Sequence, residues 1–540
     1  MAYTATQRQL LERYFSVVDS PDFADVYLVR NLPPEVAATL NGVYSRSSKS
    51  MRDQFLERLE QGLAATGKSL ESLMVDAGPR DALSAVMTDN AGQFLKTYAI
   101  DHGHNSLREG SVVHLAIEKV SQLVTRFIQR ELRCSFEESS TRYISFSAET
   151  HWRDPDVMAA GGDVAAAYNA VIDETFALYT ELSEGLVAHL KQLRPLQAGE
   201  KEAPWLRTIK AEAFDAARYL ITPAILTKWG MVADARTLSD VISELRSHTL
   251  SEFRLVGERM QQQAETVLPT LLAHARANAF QQHTRKVVTD LATRLGTVRT
   301  APVRGPGASS VKLLAHDADL DAKLLASLLY EASRAPWSEL MARARAMTPA
   351  ERSRLLDEVM AARGKHDTWP LALEGAAPFE FEVMMDFGAF RDIGRHRKGL
   401  QQQQLLTVDH GYAVPPLVEQ AGHRDRYLAT LDRAAELQRK VAAAFPDAAG
   451  YVTPFAFLQR VRILFDPRQV DYFVELRSGP EGHFSYRQVA IDMFDHVERV
   501  SPLFARYIRV QKGEAFLGRM QSEQGADDRR LRRMQAAGDA

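Results

Sequence analysis

The sequence predicts an α+β fold made of two similar halves in tandem. Three observations carry that prediction. A stretch rich in Gly, Pro and Ser, GTVRTAPVRGPGASS from Gly296 to Ser310, has no apolar periodicity and reads as a linker. The segments flanking it look alike: ADVYLVRNLPPEVAATLNGVYSRSS from Ala24 and SSVKLLAHDADLDAKLLASLLYEASR from Ser309 each give a short apolar strand, a polar turn and a helix pattern. The likeness then recurs in the same order. EGSVVHLAIEKVSQLVTRFIQRELR from Glu109 parallels EFEVMMDFGAFRDIGRHRK from Glu380, and ADARTLSDVISELRS from Ala233 parallels FDPRQVDYFVELRS from Phe465. This is one long period, not a solenoid repeat. Tandem duplication, with the halves packed as an internal pseudo-dimer, is the economical reading.

Along the chain, residues 1–23 form an N-terminal extension with helical pattern, 24–295 the first half, 296–308 the linker and 309–517 the second half. Residues 518–540 are a charged tail without a core-forming pattern. In each half a strand-like stretch leads into a short helix with arginines four apart, Arg126/Arg130 and Arg391/Arg395. That spacing sets both on one helix face.

Bulk properties narrow the function. The 540 residues are 45% hydrophobic and 25% charged, with formal net charge −3. That balance is ordinary for a globular chain and argues against nucleic acid as the main partner. A single cysteine, Cys134, allows no intrachain disulfide and fits a reducing cytoplasm. It also excludes a Cys-rich metal or iron–sulfur site, and the expectation is no metal. Cys134 reads as a small buried residue. No signal-peptide pattern opens the sequence, and no apolar run approaches the roughly 20 residues that span a bilayer.

Arg395-His396-Arg397, followed by Gln401 to Gln404, would alone be a basic turn before a solvated run. Its context changes that. The first half reads GHNSLREG, RELRCSFEESSTRY, AARYLIT, DAR and ELRSHTLSEFR; the second reads APFEFE, GRHRKGLQQQQL, AGYVTP and ELRSGPEGHFSYR. Together these resemble the flavin-dependent thymidylate synthases (ThyX), whose signature joins Arg-His-Arg to a Glu-x-Ser-x-Arg-Tyr string. Upstream the family carries a His-x-x-x-x-Glu element, matched here by His104, Ser106 and Glu109. Glu138, Ser140, Arg142 and Tyr143 match the string, and Arg218 matches the arginine of a later Ala-Arg pair. The second half keeps the triplet, with Arg477 and, ten residues on, Arg487. The losses are complementary. In the first half the triplet is Arg130-Glu131-Leu132. In the second, Gln403, Leu405, Thr407 and Gly450 stand where the Glu, Ser, Arg and Ala-Arg arginine belong.

In that family the active site combines residues of neighbouring subunits. The resemblance therefore implies one composite site: Glu138, Ser140, Arg142 and Arg218 with Arg395, His396, Arg397 and Arg487. The second site would be decayed. By the same resemblance Arg142, Arg218 and Arg395 hold a nucleotide phosphate with forked guanidinium donors, and Ser140 adds a neutral donor. Glu138 lies between nucleotide and flavin. Arg487 favours the ionised pyrimidine ring, because a cation lowers the pKa of a neighbouring acid. His104, Ser106, Arg395, His396, Arg397 and Arg477 face FAD. The implied reaction is reductive methylation of dUMP to dTMP with methylenetetrahydrofolate and NADPH. Implied also are a cytoplasmic enzyme and a dimer of chains that recreates a tetramer of halves. Asp392 stands where the family tends to have a nucleotide-contacting Gln. That leaves open another pyrimidine nucleotide, or a non-catalytic paralogue that binds nucleotide or flavin.

Overall fold

The computed structural model describes residues 3–31, 44, 47–65, 106–109, 111–139, 146, 149–268, 270–272, 274–298, 305–376, 378–513 and five single positions beyond 517. Two compact units emerge, and neither is continuous in sequence. The first gathers Met1–Asp173, Thr222–Ala301 and Leu437–Val452; the second gathers Glu174–Ile221, Pro302–Glu436 and Thr453–Ala540. Each unit thus takes up a segment from the other half of the sequence.

Both units hold a four-stranded antiparallel sheet of one topology. In the first, β1 (Asp25–Val29), β2 (Val112–Ser121), β3 (Ser135–Glu138) and β4 (Leu226–Asp234) are ordered β1-β2-β4-β3. In the second, β5 (Ser310–Ala315), β6 (Phe379–Asp386), β7 (Leu400–Gln403) and β8 (Leu458–Phe465) are ordered β5-β6-β8-β7. The sequence pattern explains the strands. In β6, Phe379, Phe381, Val383 and Met385 are buried while Glu380 and Glu382 are only half-buried, the period-two alternation of a one-sided sheet. On the other face Arg462 of β8 pairs with Glu380, and Arg460 lies 3.7 Å from Glu382. Opposite charges on neighbouring strands add modest support for the register.

The glutamine run is an edge strand. Gln402 accepts from Arg462 at 2.7 Å, and Gln401 Nε2 donates to the His396 carbonyl at 2.6 Å. Gly399 lets β7 start here: a Cβ would sit 2.1 Å from the Phe465 ring and 2.5 Å from the Leu464 carbonyl oxygen, inside any tolerable contact.

The exchanged segments are held by matching buried clusters. In the first unit Ser121 caps the helix Gln122–Ile128. Its N–H and hydroxyl donate to Glu252 at 2.7 and 2.6 Å, and the Tyr451 hydroxyl, from the borrowed segment, donates to Glu252 at 2.8 Å. In the second unit Asp386 caps the helix Phe387–Ile393, accepting from Ala389 N–H at 2.6 Å. The Ser485 hydroxyl donates to Asp386, and Tyr219 of the borrowed segment faces the same carboxyl. Glu252 and Ser485 are each the second residue of their helices, Ser251–Glu265 and Phe484–Val500. The two clusters have therefore traded acid and hydroxyl between positions while keeping the tyrosine. Backbone bonds reinforce each capture: Ala224 N–H to the Tyr451 carbonyl at 2.9 Å, and Ala456 N–H to the Tyr219 carbonyl at 2.9 Å.

Among the described residues no helix is long and apolar enough to cross a membrane. Cys134 is buried.

Burial pushes the Glu252 carboxyl up from 4.5 to about 7. Between those values the folded chain binds more protons than the unfolded one, so its stability falls as pH rises through that window. Glu252→Gln copies the protonated form and removes this dependence. Thermal melting at pH 5 and pH 8 should show wild type losing ground to the variant as pH rises. Parallel melting profiles would contradict the assignment.

Candidate active site

The second unit places the triplet just after the helix that Asp386 caps. Arg391 and Asp392 are buried at the end of that helix; Arg395 is exposed, His396 buried and Arg397 half-buried. The His396 ring lies edge-on to Phe473, with centroids 5.0 Å apart. Its Nε2 accepts a hydrogen bond from Arg477 Nε at 2.8 Å. A ring nitrogen that accepts carries no proton, so the proton sits on Nδ1. Burial, then the cations Arg477 and Arg395, push the His396 pKa down to about 3, against the opposing pull of Asp392. His396 is therefore a neutral donor through Nδ1–H, and the positive charge here belongs to the arginines.

Arg218 belongs to the first half of the sequence but to this second unit. It ends the helix Glu202–Ala217 and begins the 3-10 turn Arg218–Leu220. Only 2% exposed, it lies 3.5 Å from Asp215 and 3.6 Å from Asp392. Those separations are ion pairs longer than a good direct hydrogen bond. The next residue, Tyr219, stacks on His483 with centroids 5.4 Å apart, and His483 Nε2 lies 3.2 Å from the Asp215 carbonyl oxygen. Asp392 thus stands between Arg218 and His396, and Arg218, His396 and Arg477 form one linked group. Arg487 is nearby in sequence but committed to the backbone: Nε donates to Ser478 O at 3.0 Å, and Nη2 to Gln511 O and Gly513 O at 3.3 and 2.9 Å.

Glu138 belongs to the first unit. It ends β3, is buried, and pairs with Arg126, with Gln129 Nε2 3.4 Å away. His104, Ser140, Arg142 and Tyr143 lie outside the described residues, and Ser106 is described only as the first residue of the short helix Ser106–Glu109. Glu109 is exposed and pairs with Arg236 at 2.7 Å. Arg130 is an exposed partner of Glu244 at 2.7 Å.

Sequence reasoning missed two features. Gln401 braces the triplet from the edge strand, as described above. A cavity of about 1130 Å³ in the first unit is lined by Ser139, Phe146, Thr150, Glu118 and Lys228, among others. Burial pushes the Lys228 pKa down to about 8. A lone lysine in the apolar strand LTKWGMVAD was the available signal.

The family model for the thymidylate synthase complementing proteins (Thy1) matches residues 44–270 and 312–503. The chain belongs to that family. The two matched stretches fall in the two tandem halves, and the Thy1 chain is thus an α+β protein of two like halves. Among its relatives is a UPF0159 protein of Chlamydia muridarum, 27% identical over 537 residues, covering 96% of this chain and 98% of that one. Another is the UPF0159 protein Ta1429 of Thermoplasma acidophilum, 23% identical over 470 residues, covering 80% and 91%. A solved structure, the UMP/dUMP methylase PolB from Streptomyces cacaoi bound with 5-Br dUMP, is 15% identical and covers 38% of this chain and 96% of that one, with TM-score 0.29.

The Arg477–His396 bond makes a spectroscopic prediction. In a ¹⁵N-histidine NMR titration His396 should keep its neutral, Nδ1-protonated form from pH 5 to pH 8. A midpoint near 6.5, the ordinary histidine value, would contradict it.

Proposed function

We propose that this Thy1 chain is a flavin-dependent methyltransferase that converts dUMP to dTMP, taking carbon from methylenetetrahydrofolate and electrons from NADPH. Family membership supports nucleotide methylation in general. One observation carries the finer reading: Arg218, from the first half of the sequence, lies 3.6 Å from Asp392, three residues ahead of the Arg395-His396-Arg397 triplet. The nucleotide-side arginine and the flavin-side triplet thus share one unit, as a composite site requires.

The residues suit the ligands. Arg218 and Arg395 offer forked donors to a phosphate dianion. Asp215 and Asp392 hold the buried Arg218 side chain in place before any ligand arrives. Its charge is already partly balanced, so a phosphate must compete with these carboxylates, which favours a ligand of high charge density. For FAD the donor set also fits: His396 Nδ1–H is a neutral donor, and Arg395, Arg397 and Arg477 supply the positive charge that an electron-rich ring or a pyrophosphate needs. A bound flavin supplies the redox chemistry; the protein binds, orients and shields. By the family resemblance Glu138, Ser140 and Arg142 are further nucleotide-side residues of this chain. Arg487 acts through the helix end and the irregular segment around Gln511 and Gly513 that it ties together.

A different pyrimidine nucleotide is the second reading, and Asp392 favours it. A carboxylate only accepts hydrogen bonds, whereas a glutamine amide both donates and accepts. A base edge presenting a donor would suit it better than uracil O4.

Arg218→Ala and Arg395→Ala should each weaken dUMP binding by about 100-fold in the flavin-loaded chain, the scale expected for charge-assisted phosphate contacts. Arg130→Ala should leave dUMP turnover within about twofold, because an exposed surface ion pair such as Arg130–Glu244 contributes little. Equal losses from all three would rule out a single composite site. Expression in a thymidine-requiring host should restore growth. Failure by a well-expressed, flavin-loaded chain would transfer the proposal to another nucleotide.

A further inference from the structure

The matching topology fixes which residues of the first unit stand where the second unit has its arginines. Arg130 follows Arg126 as Arg395 follows Arg391: Arg126 and Arg391 lie on equivalent helices after β2 and β6, and Arg130 and Arg395 each lie two residues past the helix end. Arg254 and Arg487 are each the fourth residue of their helices. The Arg218 position is Gly450, one residue before Tyr451, yet Asp447 still stands where Asp215 does. The first unit has therefore lost one arginine and kept the acid that went with it.

Another element restores the charge. The helix Ala279–Arg294 has no counterpart among the described residues of the second half, and it carries Arg285. The Arg285 guanidinium lies 6.0 Å from the Phe127 ring centroid, whose face already bears Arg130 at 3.9 Å. His248 packs edge-on to Phe127 at 5.2 Å and stacks on Phe253 at 4.0 Å. Arg254 donates to the His248 carbonyl at 3.0 Å and to that of Thr249. Three guanidinium groups thus converge on one aromatic cluster. His248 registers them. Its Nδ1 accepts from Leu250 N–H at 3.1 Å, and burial, with Arg285, Arg130 and Arg254, pushes its pKa down to about 3.

Two carboxylates face the cluster. Glu244 pairs with Arg130 at 2.7 Å, and Asp447 acts on Arg285 while accepting from the Thr249 hydroxyl at 2.5 Å. One positive charge is left over, and Arg285 Nε is buried without a hydrogen-bond acceptor among the described residues. The Arg130 side chain is half exposed, so an anion can reach the group. In the triplet that follows, Glu131 and Leu132 replace the histidine and second arginine. Arginine donors remain here without the donors that suit a flavin.

We propose that Arg130, Arg254 and Arg285 form a second anion site in the first unit, which binds a small phosphate-bearing ligand without transforming it. Free inorganic phosphate and the phosphate of a nucleotide share the required chemistry. The altered half-site is then a binding site in its own right, distinct from the dUMP site proposed above.

The test uses the full chain carrying Arg218→Ala, which disables the other site. Calorimetric titration with inorganic phosphate should still show binding. Adding Arg285→Gln should weaken it by about tenfold or more, with an unchanged circular dichroism spectrum. Arg130→Gln, at an exposed position, should give a similar loss and serves if Arg285→Gln misfolds. If dUMP displaces the phosphate, the ligand is a nucleotide; if it does not, the ligand is free phosphate. Absence of phosphate binding in the Arg218→Ala chain, or an affinity indifferent to both further substitutions, overturns the proposal. Neither result depends on dUMP turnover, so failure here and failure of the methylation reading are separable.

Discussion

A buried carboxyl shared by a serine and a tyrosine holds each unit together, and the rest of the arrangement depends on it. In the first unit that carboxyl is Glu252, which collects three hydrogen bonds, one of them from Tyr451. In the second it is Asp386, met by Ser485, the Ala389 N–H and Tyr219. Leaving such a buried acceptor short of a partner costs on the order of 1–3 kcal/mol. The tyrosines come from the segments that each unit takes from the other half of the sequence. The same clusters therefore cap the helix that leads into the candidate arginines, Arg130 and Arg395, and fix the borrowed segment. In the second unit that segment delivers Arg218, the residue after which is the tyrosine itself.

The exchange gives the duplication a physical rationale. Once two copies are joined in one chain, each position exists twice and need be kept only where it contributes. Acid and hydroxyl could trade places between Ser121–Glu252 and Asp386–Ser485 because the hydrogen-bonded product is the same. Gly450 stands at the Arg218 position in the first unit, the unit whose triplet reads Arg130-Glu131-Leu132. Asp447 remained, and Arg285 from an added helix now lies close enough to act on it.

Much of the fold was legible in the sequence, for local reasons. The alternation in FEFEVMMD fixes a one-sided strand, and Ser121 and Asp386 announce helix starts by their capping chemistry. The order of paired segments revealed two like halves. The exchange was not legible: the apolar face of a helix shows that it will be buried, not against which partner. The site was legible in part. Arg218, His396 and Arg477 were named from their motif context, and the structure brings them into one group. The neutrality of His396 was hidden, since it depends on an acceptor bond to Arg477 and on burial. The glutamine run is largely solvated, as its composition suggests, but Gln401 to Gln403 also form an edge strand and Gln401 braces His396. Arg487 was named for ring chemistry, while the structure shows its donors on three backbone carbonyls, a commitment that no local pattern encodes.

In the proposed function two sequence halves assemble one composite nucleotide site per chain, and Arg218 is the contribution that crosses between them. The most direct measurement is a dUMP titration of the flavin-loaded chain followed by flavin absorbance, which responds only to nucleotide bound beside flavin. The predicted result is a saturable absorbance change that Arg218→Ala abolishes. An undiminished change in Arg218→Ala would contradict the composite site.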